Sequence, residues 1–278
     1  MTRASEMPET SSEHPRALRV LDVDGGSIVG ARRARNEDEY SWFADGRVVA
    51  LADGMGERPN GGLASSIVMH EVITNVASSD LTGAAVEALD GFRAVSWIRE
   101  VFAACRGALA TAKATVAQVP AMESALMLAL LTREQLVVGH VGHSRCYLWR
   151  RGELSQITRD HRRAPAGLEH LAEDERRAIR SLVCVAERGI GDAAGDDPEI
   201  ATKQIEEGDV ILLCSNGLSD VVPAGSLIEA LHPKLDAASI VRALLDAATR
   251  AHADDDATAI VVRVRPRLAI ELHQQHAR

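Results

Sequence analysis

Acidic and amide side chains stand at the ends of apolar runs in this chain. Asp53 directly follows Val48-Val49-Ala50-Leu51-Ala52, and Asn216 follows Val210 to Cys214 after one serine. Asp254-Asp255-Asp256 come just before the run Ala259 to Val264, and Glu37-Asp38 come just before Tyr40 to Phe43. A carboxylate at a strand end can stand at the rim of a sheet, and several rims at one edge of a sandwich bring such groups together. The gathering is costly without counter-charge: two unit charges about 4 Å apart repel by roughly 4 kcal/mol at an effective dielectric near 20. A hard divalent cation removes that cost, and oxygen donors suit magnesium or manganese. Turn chemistry is the competing reading, because Asp-Gly (Asp53-Gly54) and Asn-Gly (Asn216-Gly217) are common turn pairs.

The elements that must carry these residues are legible in the hydrophobic pattern. Leu18 to Val29 has strand spacing, with Asp24-Gly25-Gly26 expected to form a hairpin-type turn. Val48 to Ala52 is a short apolar strand that Asp53-Gly54 should end. Helices are expected over Gly62 to Ser78 and Arg93 to Gln118; in the second, Ile98, Phe102, Cys105, Leu109 and Val116 recur at steps near 3.6. Ser124–Leu131 with Gln135–Val141, and Arg145–Trp149 with Leu154–Ile157, read as antiparallel hairpins. Leu168 to Arg188 is charged and helical in pattern, Val210 to Cys214 is a buried strand, Leu227–Leu231 and Ala237–His252 are helical, and Ala259–Val264 is the last strand. Strand runs and helix runs are segregated, which predicts an α+β domain.

Composition narrows the function. The 278 residues are 46% apolar and 26% charged, as in an ordinary soluble globule, and only 3% aromatic. A net charge of −9 argues against a nucleic-acid or anionic-membrane partner. Cys105, Cys146, Cys184 and Cys214 match no compact zinc spacing and lie in apolar runs, so buried free thiols in a reducing cytoplasm are expected. No apolar run is long enough for a transmembrane helix, and the polar first residues carry no secretory signal pattern. No glycine-rich loop with a lysine precedes a helix, which leaves nucleotide binding without a motif.

Six segments, in order, resemble the PPM-type (type 2C) metal-dependent protein serine/threonine phosphatases in their bacterial style. Arg33 precedes Asn36-Glu37-Asp38; Ala52-Asp53-Gly54-Met55-Gly56 is followed by Ala64-Ser65; and Gly142-His143-Ser144-Arg145-Cys146-Tyr147 stands for the family's Gly-Asp-Ser-Arg and its tyrosine. Thr158-Arg159-Asp160-His161 is similar to Thr-x-Asp-His. Gly208-Asp209 leads to Leu212-Leu213-Cys214-Ser215-Asn216-Gly217-Leu218, and Asp255-Asp256-Ala257-Thr258 looks like Asp-Asn-x-Thr.

The resemblance implies a four-layer α-β-β-α sandwich over residues 18–266, with a shortened flap about 162–191 and tails at 1–17 and 267–278. It implies hydrolysis of phosphoserine and phosphothreonine by a water bridging two manganese or magnesium ions. Asp53 would bridge the ions, the Gly54 carbonyl, Asn216 and Asp255 would complete them, Glu37 and Asp38 would hold their waters, and Arg33 would clamp phosphate. The implied partner is a phosphoprotein, with a serine/threonine kinase as a further candidate.

Several positions depart from the family. Asn216 replaces a metal-ligating Asp, which lowers the expected metal affinity. His143 replaces the Asp of a third metal position, with a soft-metal ligand or general acid as its functional alternatives to a plain loop histidine. Glu57-Arg58 stands for Gly-His, Glu123-Ser124-Ala125 for Gly-Thr-Thr, and the flap lacks His-Pro-x-Arg. Asp254 and Asp256 are candidates to replace the lost charge. A pseudophosphatase that binds a phosphoprotein or kinase without hydrolysis is therefore the alternative to a working enzyme.

Overall fold

The computed structural model describes residues 20–55, 60–115, 122–163, 185–186, 188–191 and 196–265. Twelve strands occur among them: β1 (Val20–Ile28), β2 (Asp38–Phe43), β3 (Val48–Gly54), β4 (Ser124–Leu131), β5 (Gln135–Val141), β6 (Arg145–Arg150), β7 (Glu153–Gln156), β8 (Arg162–Arg163), β9 (Val185–Ala186), β10 (Glu199–Gln204), β11 (Val210–Cys214) and β12 (Ala257–Arg265). The helices are α1 (Gly61–Ser78), α2 (Gly83–Glu87), α3 (Gly91–Thr115), α4 (Asn216–Ser219), α5 (Ala224–Ala230) and α6 (Ala237–Arg250). Two antiparallel five-stranded sheets, ordered β1-β12-β11-β6-β7 and β10-β5-β4-β3-β2, lie face to face, and β8-β9 form a small separate ribbon.

Period-two patterning explains the layers. In β3, Val48, Ala50 and Ala52 face α1 and α3, while Val49 and Leu51 face the other sheet. Leu126, Leu128 and Leu130 of β4 point to the helices, and Met127, Ala129 and Leu131 to the opposite sheet. Ile211 and Leu213 of β11, with Ile260 and Val262 of β12, complete that inter-sheet core. Leu212 and Val261 turn outward onto Ile240 and Leu244 of α6. Both faces of the central strands are thus buried, each large side chain contributing about 1.5–3 kcal/mol. The result is the α-β-β-α sandwich expected.

The differences from the pattern have local causes. Asp24-Gly25-Gly26 make no turn: β1 runs straight through them, paired with β12 from Val20↔Arg265 to Ile28↔Ala257. The glycines serve close packing instead, since a Cβ on Gly25 would stand 2.8 Å from the Tyr40 ring and one on Gly26 2.7 Å from Leu245 Cδ1. Asp53-Gly54 lie inside β3 rather than beyond it. Strand β10, half-exposed and polar, carries no apolar run to announce it. Of Leu168 to Arg188, only Val185, Ala186 and Arg188 are described, and they are strand and loop; the rest of that segment, both expected tails and Glu57-Arg58 lie outside the described residues. Cys105, Cys146 and Cys214 are buried free thiols, and Cys184 lies outside the described residues. Among the described residues, no helix is long and apolar enough to cross a membrane.

Candidate metal and phosphate site

The strand register builds the site at one end of the sandwich. Asp38 on β2 stands opposite Asp53 on β3. In the other sheet, β11 and β12 are joined by Cys214↔Ala259 and by Ser215 N donating to Thr258 O at 3.1 Å. That pairing sets Asn216 beside Asp255, where Asn216 Nδ2 donates to Asp255 Oδ2 at 3.3 Å. The end of β1 lies over the same corner: Ala31 N donates to Ala253 O at 2.9 Å and Arg32 N to Asp254 O at 3.1 Å. Gly30 permits this approach, because a Cβ there would overlap the Asp255 backbone.

Arg33 is delivered into the cluster by that crossing. Its Nε donates to Asp255 Oδ1 at 2.8 Å and its Nη2 reaches the same oxygen at 2.7 Å. Its Nη1 lies 3.7 Å from Glu37 Oε2. Burial opposes the guanidinium charge, but Asp255, with Asp256 and Glu37 behind it, outweighs burial and raises the pKa. Glu37 is held by its backbone: its N–H donates to Asp256 Oδ2 at 2.8 Å, and its carbonyl accepts from Ser65 Oγ at 2.6 Å and Gly54 N at 3.1 Å.

The two sheets are linked through Asp38. Thr258 Oγ1 donates to Asp38 Oδ2 at 2.6 Å, Ser27 Oγ lies 2.6 Å from Thr258 Oγ1, and Asn36 Nδ2 donates to Ser27 Oγ at 2.6 Å. Asn36 Oδ1 closes the ring by accepting from Asp38 N at 3.0 Å. Burial nevertheless pushes Asp38 up to about 7, with the Thr258 and Ser215 hydroxyls opposing and Asp256 and Asp255 adding to the shift. This folded value lies above the unfolded one. The group's contribution to stability is therefore full below about pH 4 and is lost as pH rises through about 7. Thermal melts of metal-free protein are expected to show this decline between about pH 4 and 7, and Asp38→Asn to flatten it.

Whether these residues suit a metal can be judged from their unsatisfied oxygens. Glu37 Oε2 and Asn216 Oδ1 are buried without a hydrogen-bond partner. Buried oxygens are normally bonded, and hard oxygen donors without N–H partners beside Asp53 and Asp255 fit a hard divalent cation. All eight expected residues (Arg33, Glu37, Asp38, Asp53, Gly54, His143, Asn216 and Asp255) come to this end of the fold. His143 Nδ1 lies 3.6 Å from Asp53 Oδ2.

The structure places the two acids named as candidates to replace the lost charge differently. Asp254 is on the surface, paired with Arg32 Nε at 3.2 Å. Asp256 is buried, one oxygen accepting from Gly30 N at 2.9 Å and the other from Glu37 N at 2.8 Å. Its role as a double backbone acceptor, and that of Ser27 in the hydroxyl chain, had no signal in the spacing.

The ligand atoms of a second set of donors, His140, His161 and Glu199, lie within 4.8 Å of one another, and His161 bonds Gly142, the neighbour of His143. Its hydrogen bonds describe a latch. His161 Nδ1 accepts from Gly142 N at 3.2 Å, so Nε2 carries the proton and donates to Glu199 Oε2 at 3.1 Å. The His140 and His161 rings stack at 4.7 Å and 18°. A metal on His161 Nε2 would have to displace that proton and break the Gly142 bond.

Comparison with known proteins gives the family. A family model described as Protein phosphatase 2C matches residues 30–260. The serine/threonine protein phosphatase PstP of Mycobacterium tuberculosis is 32% identical over 256 residues, which cover 90% of this chain and 46% of PstP, so the chain spans about half the length of that relative. The serine/threonine phosphatase Stp of Listeria monocytogenes is 25% identical over 239 residues, 84% of this chain and 92% of Stp. The crystal structure of the PstP catalytic domain in complex with two manganese ions matches with a TM-score of 0.74 and 27% identity, covering 89% of this chain and 100% of that one. A sandwich of this topology, a carboxylate corner of this make-up and a family match over most of the length lead to one assignment: the chain belongs to the protein phosphatase 2C family.

Proposed function

We propose that the protein hydrolyses phosphoserine and phosphothreonine in protein substrates, with metal binding weakened by Asn216. The observation that carries this reading is the convergence of Arg33, Asp38, Asp53 and Asp255, from three separate segments, on one corner with buried oxygens left unsatisfied beside them. Asp53, the Gly54 carbonyl, Asn216 and Asp255 would hold manganese or magnesium, with Glu37 and Asp38 behind them; the PstP catalytic domain was crystallised with two manganese ions. Bound there, such ions activate water and neutralise charge on the phosphoryl group. Arg33 supplies the planar donor fork for phosphate oxygens. Glu37 and Asp255 orient that fork, and the chain from Asn36 to Thr258 holds Asp38. The reading carries with it a cytoplasmic location, supported by the three buried free thiols. It also includes a phosphoprotein partner, with a serine/threonine kinase as a candidate.

Two observations favour a second reading, a pseudophosphatase that binds its phosphoprotein or kinase partner without hydrolysis. The amide of Asn216 brings no charge, and Arg33 is already engaged by Asp255. Manganese-dependent phosphate release from a phosphothreonine peptide tests the first reading. Absence of release in the native chain, with release gained in Asn216→Asp plus His143→Asp, would establish the second. Asn216→Asp alone is expected to tighten manganese binding about tenfold or more, because a full charge beside a dication outweighs the cost of burying it. Calorimetric titration of metal-free protein measures this.

A further inference from the structure

His143 supplies the imidazole beside the carboxylate corner, and its position is specific. Its Nδ1 lies 3.6 Å from Asp53 Oδ2, with the two side chains 12% and 8% exposed. That separation is too long for a hydrogen bond. It is close to the distance of about 3.4 Å between two donors that each sit about 2.1 Å from one tetrahedral ion. Adjacent ligands on an octahedral magnesium stand only about 3.0 Å apart.

The backbone that presents His143 is held from outside the site. Gly142 donates its N–H to His161 Nδ1 at 3.2 Å and accepts from His161 N at 2.9 Å, so the residue before His143 is fixed at both polar atoms. Gly142 has φ +113°, a conformation other residues rarely adopt, and a Cβ there would overlap Ala125. The donor set is also less anionic than one made of carboxylates alone, because Asn216 contributes an amide oxygen. Imidazole nitrogen suits zinc and the other later divalent metals, whereas magnesium and manganese favour carboxylate, carbonyl and water oxygen.

We propose that His143 Nδ1 is a metal ligand sharing an ion with Asp53, and that this nitrogen turns the centre toward zinc and away from magnesium. The inference rests on the proposed metal-dependent phosphatase reading for its oxygen ligands and adds the nitrogen.

Pulsed electron paramagnetic resonance of the full chain loaded with one equivalent of manganese tests it directly. Nitrogen modulation is expected in the native protein, lost in His143→Ala and kept in His140→Ala. Absence of nitrogen modulation from the native protein overturns the proposal. So does modulation that survives His143→Ala or disappears in His140→Ala, which puts the ion on the His140–His161–Glu199 latch. In calorimetry, His143→Asp is expected to lower the ratio of zinc to magnesium affinity by about 10- to 100-fold, and an unchanged ratio is a second refutation. The native spectrum needs no variant to fold. Nitrogen modulation without phosphate release keeps the ligand and refutes the phosphatase reading; phosphate release without it does the reverse.

Discussion

On the proposed reading, Asp53→Ala is expected to lower manganese-dependent phosphate release by about 10³-fold or more, because it removes the carboxylate expected to bridge the ions and with it their charge stabilisation. Asp53 is 6% exposed, stands opposite Asp38 and lies 3.6 Å from His143. The neighbouring aspartates among the described residues are already engaged. Asp38 is tied to Thr258, Asp255 to Arg33, and Asp256 to two backbone amides. The same change relieves the crowding of carboxylates, so the metal-free variant is expected to melt no lower than the native protein. Loss of release with the fold intact is the expected pair of results, read by phosphate assay and circular dichroism. Manganese stoichiometry should fall in the same variant. Native-like release from Asp53→Ala sinks the metal-hydrolysis reading.

Asp256→Ala costs about 3–5 kcal/mol of stability, the sum of two backbone hydrogen bonds to a charged acceptor. The Gly30 and Glu37 amides lose their partner at a residue only 3% exposed. Urea unfolding of metal-free protein should show a lower midpoint with an unchanged slope. Asp256→Asn keeps one acceptor oxygen and should lose roughly half as much. Both variants loosen the Glu37 backbone and the β1 end that carries Arg33. Manganese affinity is therefore expected to fall with stability, although Asp256 itself is placed on no metal. A variant that unfolds as late as the native chain would contradict this account.

Much of the architecture was legible from one dimension. The apolar runs at Val48–Ala52, Ser124–Leu131 and Val210–Cys214 are strands buried on both faces, as runs without polar alternation should be. The stripe Ile98, Phe102, Cys105 and Leu109 is the buried face of α3. Acids at the ends of these strands meet at one rim because antiparallel register carries the ends of β3 and β11 and the start of β12 to the same end of the sandwich. The glycine pair in β1 misled because glycine serves equally for a turn and for close packing, and only the Tyr40 ring and Leu245 distinguish the two.

Types, order and spacing alone determined that this chain makes an α+β domain with oxygen donors at strand ends. They could not separate three consecutive aspartates. Tertiary structure gave Asp254 to solvent and Arg32, Asp255 to Arg33 and Asn216, and Asp256 to two backbone amides. The reason is geometric. Side-chain direction turns at each step where β12 begins, and what each carboxylate meets depends on the β1 end folded over it, more than 200 residues away in sequence.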